Sequence, residues 1–298
     1  MLLITGASGR VARRAAALLA NRGRQLRLMT RTPGRAPVLD GTQVVFGDFA
    51  NPASLDAAFA GISSALIVSG SARPGERAEL HRNAFAAAAR AGVAHIVYLS
   101  LQGSSPQSKF PYSQDHFVSE QYLAATGVPH TILRIAFYMD MFLERFGPDG
   151  VMRGPGGRTA GAFISREDAA RAAAAALAQP PGGILDVTGP EAIELVDVAS
   201  RLSAVVGRPL RYVPESPAAA RDRLAAQGMA PWQVDLDAGW FEAIAAGEIL
   251  PVTDAVTRLG GTPPLTMEAY FAASPDLLTP LLTTIGQPAA RSIADRNA

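Results

Sequence analysis

The stretch Met1-Leu2-Leu3-Ile4-Thr5-Gly6-Ala7-Ser8-Gly9-Arg10-Val11-Ala12 is the part of the sequence that indicates the fold. Its apolar run of four residues is typical of a buried strand, and the stretch from Arg10 to Asn21, rich in Ala, Leu and Arg, favours a helix. Gly6 can adopt backbone angles that are closed to other residues, and Gly9 leaves room for a ligand to approach the backbone. Free N–H groups and the dipole at the helix start then suit a pyrophosphate, and a plain glycine turn is the alternative.

The spacing of the small residues in this stretch is Gly-x-x-Gly-x-x-Ala, which differs from the Gly-x-Gly-x-x-Gly of many dinucleotide-binding proteins. Ala12 takes the third position and still permits close packing of the helix against the strand. Because the motif lies between a predicted strand and a predicted helix, it supports a dinucleotide site.

The composition is that of a globular chain. With 298 residues, of which 48% are hydrophobic and 18% charged, the chain can form one large domain or a main domain with a smaller lobe, and global disorder is excluded. A net charge of +1 predicts no direct nucleic-acid partner. The absence of cysteine excludes a disulfide scaffold, a thiolate metal site and a cysteine nucleophile, and no metal site is predicted. Without an apolar run of 18 residues or a basic leader, we expect a soluble, cytoplasmic protein with no membrane segment.

Short apolar runs alternate with helical stretches in the first half of the chain. The predicted strands are Met1–Ile4, Gln25–Thr30, Thr42–Phe46, Ser64–Val68, His95–Ser100 and His130–Arg134, and the predicted helices are Arg10–Asn21, Pro52–Phe59, Gly75–Ala91 and Gln114–Ala125. This alternation predicts an α/β fold with a doubly wound parallel sheet, helices on both faces and ligands at the carboxyl ends of the strands.

Beyond Tyr138 the alternation loosens, and residues 147–161, rich in Gly and Pro, predict a loop. The elements predicted after it are helix Ser165–Ala178, strand Gly183–Thr188 and helices Glu191–Val206, Pro217–Gln227 and Trp232–Ala246. We expect residues 1–150 to form a nucleotide-binding domain, with part of 160–190 returning to it. Residues 151–282 would form a smaller, mainly helical C-terminal lobe for the substrate, and the polar residues 283–298 a flexible tail.

The end of the second strand discriminates between the two nicotinamide dinucleotides. An acidic residue there would accept hydrogen bonds from the ribose 2′-OH, but no Asp or Glu occurs from Gln25 to Leu39. Instead the region offers Arg31 and Arg35, and a guanidinium matches a 2′-phosphate in charge and geometry. The sequence therefore predicts NADP rather than NAD, with a solvated arginine in a turn as the alternative.

The residues after the third and fourth strands are further cofactor candidates. Asp48, in the segment Gly47-Asp48-Phe49, could accept a hydrogen bond from the adenine amino group, or it could simply be a turn residue. The segment Val68-Ser69-Gly70 would face the central part of the cofactor, because small residues allow close approach. A plain loop is the alternative.

Three polar residues suggest a proton-transfer site. Ser100 ends the fifth strand, Tyr112 follows twelve residues later and His116 four residues after that. In short-chain dehydrogenases a serine and a tyrosine with a base at i+4 serve this purpose, since the phenol donates to a carbonyl and a cation lowers its pKa. Here the i+4 partner is His instead of Lys, and the pair shares one face only if the helix begins before Tyr112. Lys109, the one lysine, could substitute only through the loop geometry. The alternative is a surface tyrosine and a polar helix-face histidine.

The order of these motifs resembles the NmrA-like branch of the atypical short-chain dehydrogenase/reductases, and the similarity is greatest to NAD(P)H-dependent quinone oxidoreductase-like members. The resemblance covers roughly residues 1–275. The stretches that carry it are TGASGRVARRAAALL, RTPGR, GDFANPASL, YLS, DHFVSEQYLAATGVPHTILR, AFISREDAARAAAAAL and LDVTGPEAIELVDVASRLSAVVGRPLRYV. It implies a Rossmann domain, an NADPH site and a small carboxyl-terminal lobe that roofs a cleft.

The resemblance also implies roles for individual residues. Arg31 would hold the 2′-phosphate, and Ile135, at a position where the family often has a polar residue or proline, would border the nicotinamide with the three residues after it. The residues implied for the pyrophosphate are Gly6, Ser8, Gly9, Arg10 and Val11, with Ala7 in the same loop, and those after Ile135 are Ala136, Phe137 and Tyr138. Phe137, Tyr138 and Phe142 are candidates for an apolar pocket wall or for ordinary core packing.

Together these features predict an NAD(P)H-dependent oxidoreductase that transfers a hydride from NADPH to a small quinone-like or aromatic carbonyl acceptor. His116 or Tyr112 would donate a proton to the acceptor or orient it. The alternative is a non-catalytic NADP(H) sensor that binds a protein partner, which would explain the missing lysine. A nucleotide-sugar epimerase would normally need the tyrosine–lysine pair. A homodimer is compatible with either of the first two functions.

Overall fold

A computed structural model describes residues 1–70 and 72–285, and its strands and helices follow the predicted alternation closely. The strands are β1 (Leu2–Ile4), β2 (Leu26–Thr30), β3 (Thr42–Phe46), β4 (Ser64–Val68), β5 (His95–Leu101), β6 (His130–Ile135), β7 (Val151–Gly154), β8 (Ala160–Gly161), β9 (Gly183–Val187), β10 (Ile193–Glu194) and β11 (Arg211–Pro214). The helices are α1 (Arg10–Ala20), α2 (Pro52–Phe59), α3 (Arg77–Arg90), α4 (Pro111–Ala125), α5 (Arg166–Ala178), α6 (Leu195–Val206), α7 (Pro217–Ala226), α8 (Pro231–Ala245), α9 (Ala255–Gly260), α10 (Met267–Ala273) and α11 (Thr279–Thr284).

Seven strands form one parallel sheet in the order β3-β2-β1-β4-β5-β6-β9. The chain starts in the middle, runs outward through β2 and β3, and then crosses to β4 on the other side of β1. This reversal leaves a crevice at the carboxyl ends of β1 and β4, where Ile4 pairs with Leu28 on one side and Leu66 on the other. The prediction of a doubly wound parallel sheet is confirmed, and in such a sheet ligands bind at this crevice.

Alternation of side chains along the strands gives the sheet two apolar faces. Leu2 and Ile4 point to the face covered by α1, α5 and α9, whereas Leu3 points to the face covered by α2, α3 and α4. On the first face, buried alanines of α1 and α5 face each other, so these helices pack closely. Helix α9 also packs against α5 and β9, a return to the sheet that the sequence analysis did not predict.

A third core lies in the C-terminal lobe, by which we mean β7, β8, β10, β11, α6 to α8, α10 and α11. Two small sheets, β10–β8 and β11–β7, and these helices enclose a cluster of aromatic side chains. Members of the cluster include Phe137, Phe142, Phe163, Trp240 and Phe241, and the same core also contains Phe110, Phe146, Tyr270 and Phe271. The lobe is mainly helical, as predicted.

The boundaries predicted from the sequence need four corrections. The segment 147–161 is not only a loop, because it contains β7 and β8, which pair with strands that come later in the chain. Helix α3 begins at Arg77, and α6 begins at Leu195 after a short strand. Helix α4 begins at Pro111, a residue suited to the first helical position, so Tyr112 lies within the helix.

The predicted tail begins inside a helix. Helix α11 extends to Thr284 and its Leu281 is buried, whereas residues 286–298 lie outside the described residues. Among residues 1–70 and 72–285, no helix is both long enough and apolar enough to cross a membrane.

Candidate cofactor cleft and active site

The loop between β1 and α1 is held in place by the two neighbouring strands. The amide of Thr5 donates to the Leu66 carbonyl at 3.0 Å, and its hydroxyl oxygen accepts from the amide of Val68 at 2.9 Å. The amide of Ala7 donates to the Met29 carbonyl on the other side at 3.0 Å. Thr5 is fully buried, and this use of its side chain to fix the end of β4 was not predicted from the sequence.

The backbone of this loop favours glycine at two positions. Gly6 has a φ of +62°, a value that favours glycine, and a Cβ on it would lie 3.6 Å from the Cβ of Val68. A Cβ on Gly9 would lie only 3.2 Å from the Gly6 carbonyl oxygen. No described side chain caps α1, so the amide groups of its first turn are left for an anion. The residues here fit a pyrophosphate.

The end of β2 presents arginines beside this loop. Thr30 is buried and its hydroxyl donates to the hydroxyl of Ser8 at 3.2 Å, which brings the end of β2 against the glycine loop. Arg31 and Arg35 follow and are both exposed. Arg13, on the first turn of α1, donates from Nη2 to the carbonyl of Arg35 at 2.6 Å. Arg13 was missed in the sequence analysis, although its place one helical turn after Gly9 is a usable signal.

Asp48 and Phe49, after β3, serve the local turn and the core. A carboxylate oxygen of Asp48 accepts from the amide of Ala50 at 3.0 Å, as in an ordinary Asx turn. Phe49 is buried, and its ring contacts that of His81 edge to face at 6.1 Å between centroids. The contacts of Asp48 are therefore those of a turn residue, which is the second of the two roles considered for it above.

Hydrogen bonds to β5 and α3 hold the segment after β4 in place. The Ser69 hydroxyl donates to the carbonyl of Leu99 at 3.0 Å, and Nε of Arg77 donates to the carbonyl of Gly70 at 3.1 Å. Val68 is half-buried beside Gly6. The segment follows β4 at the carboxyl edge of the sheet, and the Ser69 side chain is bonded to the protein.

Ser100 turns towards α4. It is 4% exposed, and its hydroxyl donates to Glu120 at 2.5 Å. Glu120 in turn accepts two hydrogen bonds from Arg134, at 2.9 and 2.6 Å. Because Ser100 lies two residues after Tyr98 on the same strand, both side chains face the helices α3 and α4. The serine hydroxyl is thus engaged in a buried polar network.

Tyr112 lies near the start of α4 and points to the loop after β4. Its hydroxyl donates to the carbonyl of Ala72 at 3.0 Å, and the guanidinium carbon of Arg77 lies 4.0 Å from the centre of its ring. Burial raises the pKa of Tyr112, and the charge of Arg77 opposes this rise. The phenol is therefore protonated at neutral pH, and the cation beside it comes from α3 instead of position i+4. Lys109 is exposed, and its backbone amide donates a hydrogen bond to the carboxylate of Glu248.

The side chain of His116 is buried in the interior and takes no part in the contact between Arg77 and Tyr112. It is 5% exposed, and its Nδ1 is 2.8 Å from the hydroxyl of Tyr98, which also lies 3.1 Å from Nδ1 of His81. Nδ1 of His81 is 2.9 Å from the hydroxyl of Ser119. That hydroxyl donates to the Asp115 carbonyl, so it accepts from His81. Tyr98 can then donate to His116, whose imidazole is an acceptor here.

Burial lowers the pKa of both histidines. The pKa of His116 falls well below 6.5 and that of His81 falls to about 3, and in both cases the charge of Arg77 acts in the same direction. Burial raises the pKa of Tyr98. The two imidazoles are neutral at pH 7, so a neutral His116 could only accept a proton or orient Tyr98.

This burial predicts an acid-labile fold. Below pH 6.5 the unfolded chain binds protons that folded His81 and His116 do not, so stability rises with pH in this range, which for His81 extends down to about pH 3. Each histidine should contribute a slope of up to about 1.4 kcal/mol per pH unit. Urea denaturation at several pH values should show a smaller slope for His116→Asn than for the parent. His130→Asn, at a half-buried site, is the control, and an unchanged slope in His116→Asn would contradict the expectation.

The residues after β6 divide between the core and the cleft. The amide of Ala136 donates to the Val187 carbonyl at 3.0 Å, which ties this segment to β9. Phe137 is 2% exposed and stacks on Trp240, with 5.2 Å between ring centres, and Phe142 is fully buried in the same cluster. For these two phenylalanines, core packing is the interpretation that fits. Tyr138 is half-buried, and its ring lies 4.1 Å from the guanidinium carbon of Arg166.

A buried carboxylate joins the start of α1 to the C-terminal side of the cleft. Asp140, with a side chain only 4% exposed, accepts from Nη1 of Arg10 at 2.7 Å and from Nε of Arg166 at 2.9 and 2.7 Å. Arg10 was predicted to contact the cofactor, and its side chain is held by Asp140. Neither Asp140 nor Arg166 was predicted. Their partners lie far away in the sequence, so no local pattern reveals them.

Comparison with known proteins gives consistent results. Residues 6–180 match a family model described as NAD(P)H-binding. The chain is 35% identical to the (4-alkanoyl-5-oxo-2,5-dihydrofuran-3-yl)methyl phosphate reductase of Streptomyces griseus over 76% of this chain and 81% of the relative. It is also similar to the NADPH complex of a quinone oxidoreductase from Escherichia coli, with 26% identity, a TM-score of 0.83 and coverage of 92% and 99%. For the NADP(H) complex of the Citrobacter sp. triphenylmethane reductase the identity is 25%, the TM-score 0.79 and the coverage 92% and 100%.

Proposed function

Because the chain belongs to the NAD(P)H-binding family, we propose that it is an NADPH-dependent reductase of the NmrA-like branch of the atypical short-chain dehydrogenase/reductases. Its acceptor would be a small quinone-like or aromatic carbonyl compound. The observation that carries this proposal is the uncapped glycine loop at the start of α1, together with a protonated Tyr112 whose hydroxyl is bonded to Ala72, in the loop after the neighbouring strand β4, and whose ring contacts Arg77. The names of similar proteins, which reduce quinones and triphenylmethane dyes, support the acceptor class.

Different residues around the crevice would bind different parts of the cofactor. Gly6, Ser8 and Gly9, with the first amides of α1, would take the pyrophosphate, because a helix start offers free N–H donors. Arg31 would take the 2′-phosphate, since a guanidinium can bind it through two hydrogen bonds. The backbone at Ala136, tied to β9, and Tyr138 would border the ring end. When bound, the nicotinamide supplies the hydride.

Tyr112 would supply the proton that a carbonyl acceptor needs once it has been reduced. Its phenol is protonated at neutral pH, as a general acid must be before it acts. Its hydroxyl now donates to the Ala72 carbonyl, and rotation about the C–O bond would redirect the proton towards an acceptor. Arg77, over the ring, would favour the phenolate that remains, which is the role of the lysine in other short-chain dehydrogenases.

Turnover separates a reductase from a sensor. Purified protein should be mixed with NADPH and a panel of quinones and aromatic aldehydes, and the loss of nicotinamide absorbance followed. We expect oxidation of NADPH that depends on the acceptor. Binding of NADPH by calorimetry without turnover on any acceptor would contradict the reductase and favour the non-catalytic sensor of NADP(H), which keeps the same cradle.

Replacing Tyr112 by phenylalanine should lower kcat/KM for a carbonyl acceptor about 100-fold, because the general acid is lost. The affinity for NADPH should stay within about twofold, since the ring and its contact with Arg77 are retained. Tyr122→Phe is the matched control: it lies on the same helix and its hydroxyl donates to Glu79 on the surface. Equal activity of Tyr112→Phe and the parent on carbonyl acceptors would remove Tyr112 from the mechanism.

A further inference from the structure

Three arginines near the start of α1, Arg10, Arg13 and Arg14, have different partners. Arg10 forms an ion pair with Asp140 at 2.7 Å, and Arg14 donates to both carboxylate oxygens of Glu167 at 2.7 and 2.8 Å. Arg13 contacts no carboxylate within ion-pair distance in the part of the chain that the structure describes; its hydrogen bond goes to the backbone carbonyl of Arg35. Arg10 and Arg14 thus each have a carboxylate partner, which Arg10 shares with Arg166, whereas Arg13 has none among the described residues.

The bond to Arg35 places Arg13 over the loop that follows β2. That loop also carries Arg31 and Arg35, both exposed, and within residues 1–70 and 72–285 neither of them forms an ion pair. The chain from Gln25 to Leu39 contains no acidic residue, so this loop has no counter-charge of its own. Three arginines on these two adjoining segments, without an acidic partner, would favour a strongly charged anion bound beside them.

The contact of Arg13 also leaves donors available for such an anion. A guanidinium has five N–H donors, and the bond to the Arg35 carbonyl engages one of them. Arg13 is exposed, so the others can reach a ligand at the surface. The bond fixes the direction of a long side chain, which lowers the entropy that binding would otherwise cost.

We propose that Arg13 is a second recognition residue for the 2′-phosphate of NADPH, acting together with Arg31, while the Arg35 carbonyl positions it. This proposal rests on the NADPH site proposed above and adds a residue that determines cofactor preference. It explains why one arginine on the first turn of α1 points away from the acidic residues that hold its two neighbours.

The test measures binding and does not depend on turnover. Dissociation constants for NADPH and NADH should be measured by calorimetry for the parent, Arg13→Gln and Arg31→Gln. Glutamine removes the positive charge and keeps a polar N–H donor on a shorter side chain. We expect Arg13→Gln to weaken NADPH about tenfold and NADH less than twofold, and the double variant to be weaker than either single one. Arg14→Gln, on the same turn, should leave the NADPH-to-NADH ratio unchanged.

A fragment isolates the phosphate from the rest of the cofactor. Adenosine 2′,5′-bisphosphate should bind the parent more tightly than 5′-AMP, and Arg13→Gln should remove much of that difference. If the parent binds NADPH but Arg13→Gln leaves both preferences intact, Arg13 is only a loop contact and the inference is wrong, while the NADPH site stands. If the parent binds neither NADPH nor the bisphosphate, the proposed function fails together with the inference.

Discussion

Replacing Arg31 by glutamate is expected to weaken NADPH binding about 100-fold, while NADH binding changes by less than about threefold. A hydrogen bond between charged groups contributes about 1.5 to 3 kcal/mol, and a carboxylate at this position would also repel the phosphate. A loss of about 3 kcal/mol corresponds to about 100-fold in the dissociation constant. NADH has no phosphate there, so it should be nearly indifferent. A carboxylate could even accept hydrogen bonds from its ribose 2′-OH.

The measurement is a pair of binding isotherms for each variant at one ionic strength, because salt screens these charges. Arg22→Glu makes the same change of charge at an exposed site just after α1 and serves as the control. Its effect on NADPH should stay within about threefold. An equal loss of NADPH and NADH in Arg31→Glu would show that Arg31 supports the fold of the loop and does not recognise the phosphate.

Replacing Trp240 by alanine is expected to lower the free energy of unfolding by about 3 to 5 kcal/mol. Trp240 is fully buried, stacks on Phe137, and meets Phe142 and Phe241 at ring distances of 5.3 and 4.9 Å. The guanidinium carbon of Arg145 lies 3.9 Å from its ring centre. Alanine would leave a cavity that these rigid neighbours cannot fill, and the guanidinium of Arg145 would lose the ring that it contacts.

Urea denaturation followed by circular dichroism measures this loss. Trp232→Ala is the matched control, because the protein has two tryptophans and Trp232 is half-buried near the start of α8. It should cost about 1 kcal/mol or less. A similar loss in both variants would mean that the aromatic cluster does not hold the C-terminal lobe together.

The sheet could be predicted from the sequence because its information is local. Each strand is a short apolar run with a helix after it, and the right-handed crossover rule then leaves few ways to arrange them. The error at 147–161 has the opposite cause. Strand β7 pairs with β11, whose residues begin at Arg211, so nothing near Val151 indicates the pairing. The start of α4 could have been placed better, because Pro111 is suited to a first helical position.

The site could be predicted only in part, for the same reason. The glycine loop and Arg31 are readable because the chemistry of a phosphate requires particular residue types next to a strand. Arg77 over Tyr112 and Asp140 under Arg10 come from separate elements, and only the fold brings them together. A regular i, i+4 spacing suggested that Tyr112 and His116 act as a pair. The structure gives each a different partner, since His116 turns inward to Tyr98.

The path of the chain between its two parts has a consequence for how the molecule can be divided. After β6 the chain passes through the turn at Met139–Glu144 and the short strands of the lobe, returns for α5 and β9, leaves again, and comes back once more as α9. The chain therefore crosses between the sheet and the lobe several times, and the lobe is not a unit joined to the sheet by a single connection. We expect the two fragments left by a proteolytic cut in any one of these connections to remain associated. No contiguous segment contains the whole sheet domain, or the whole lobe, without strands or helices of the other.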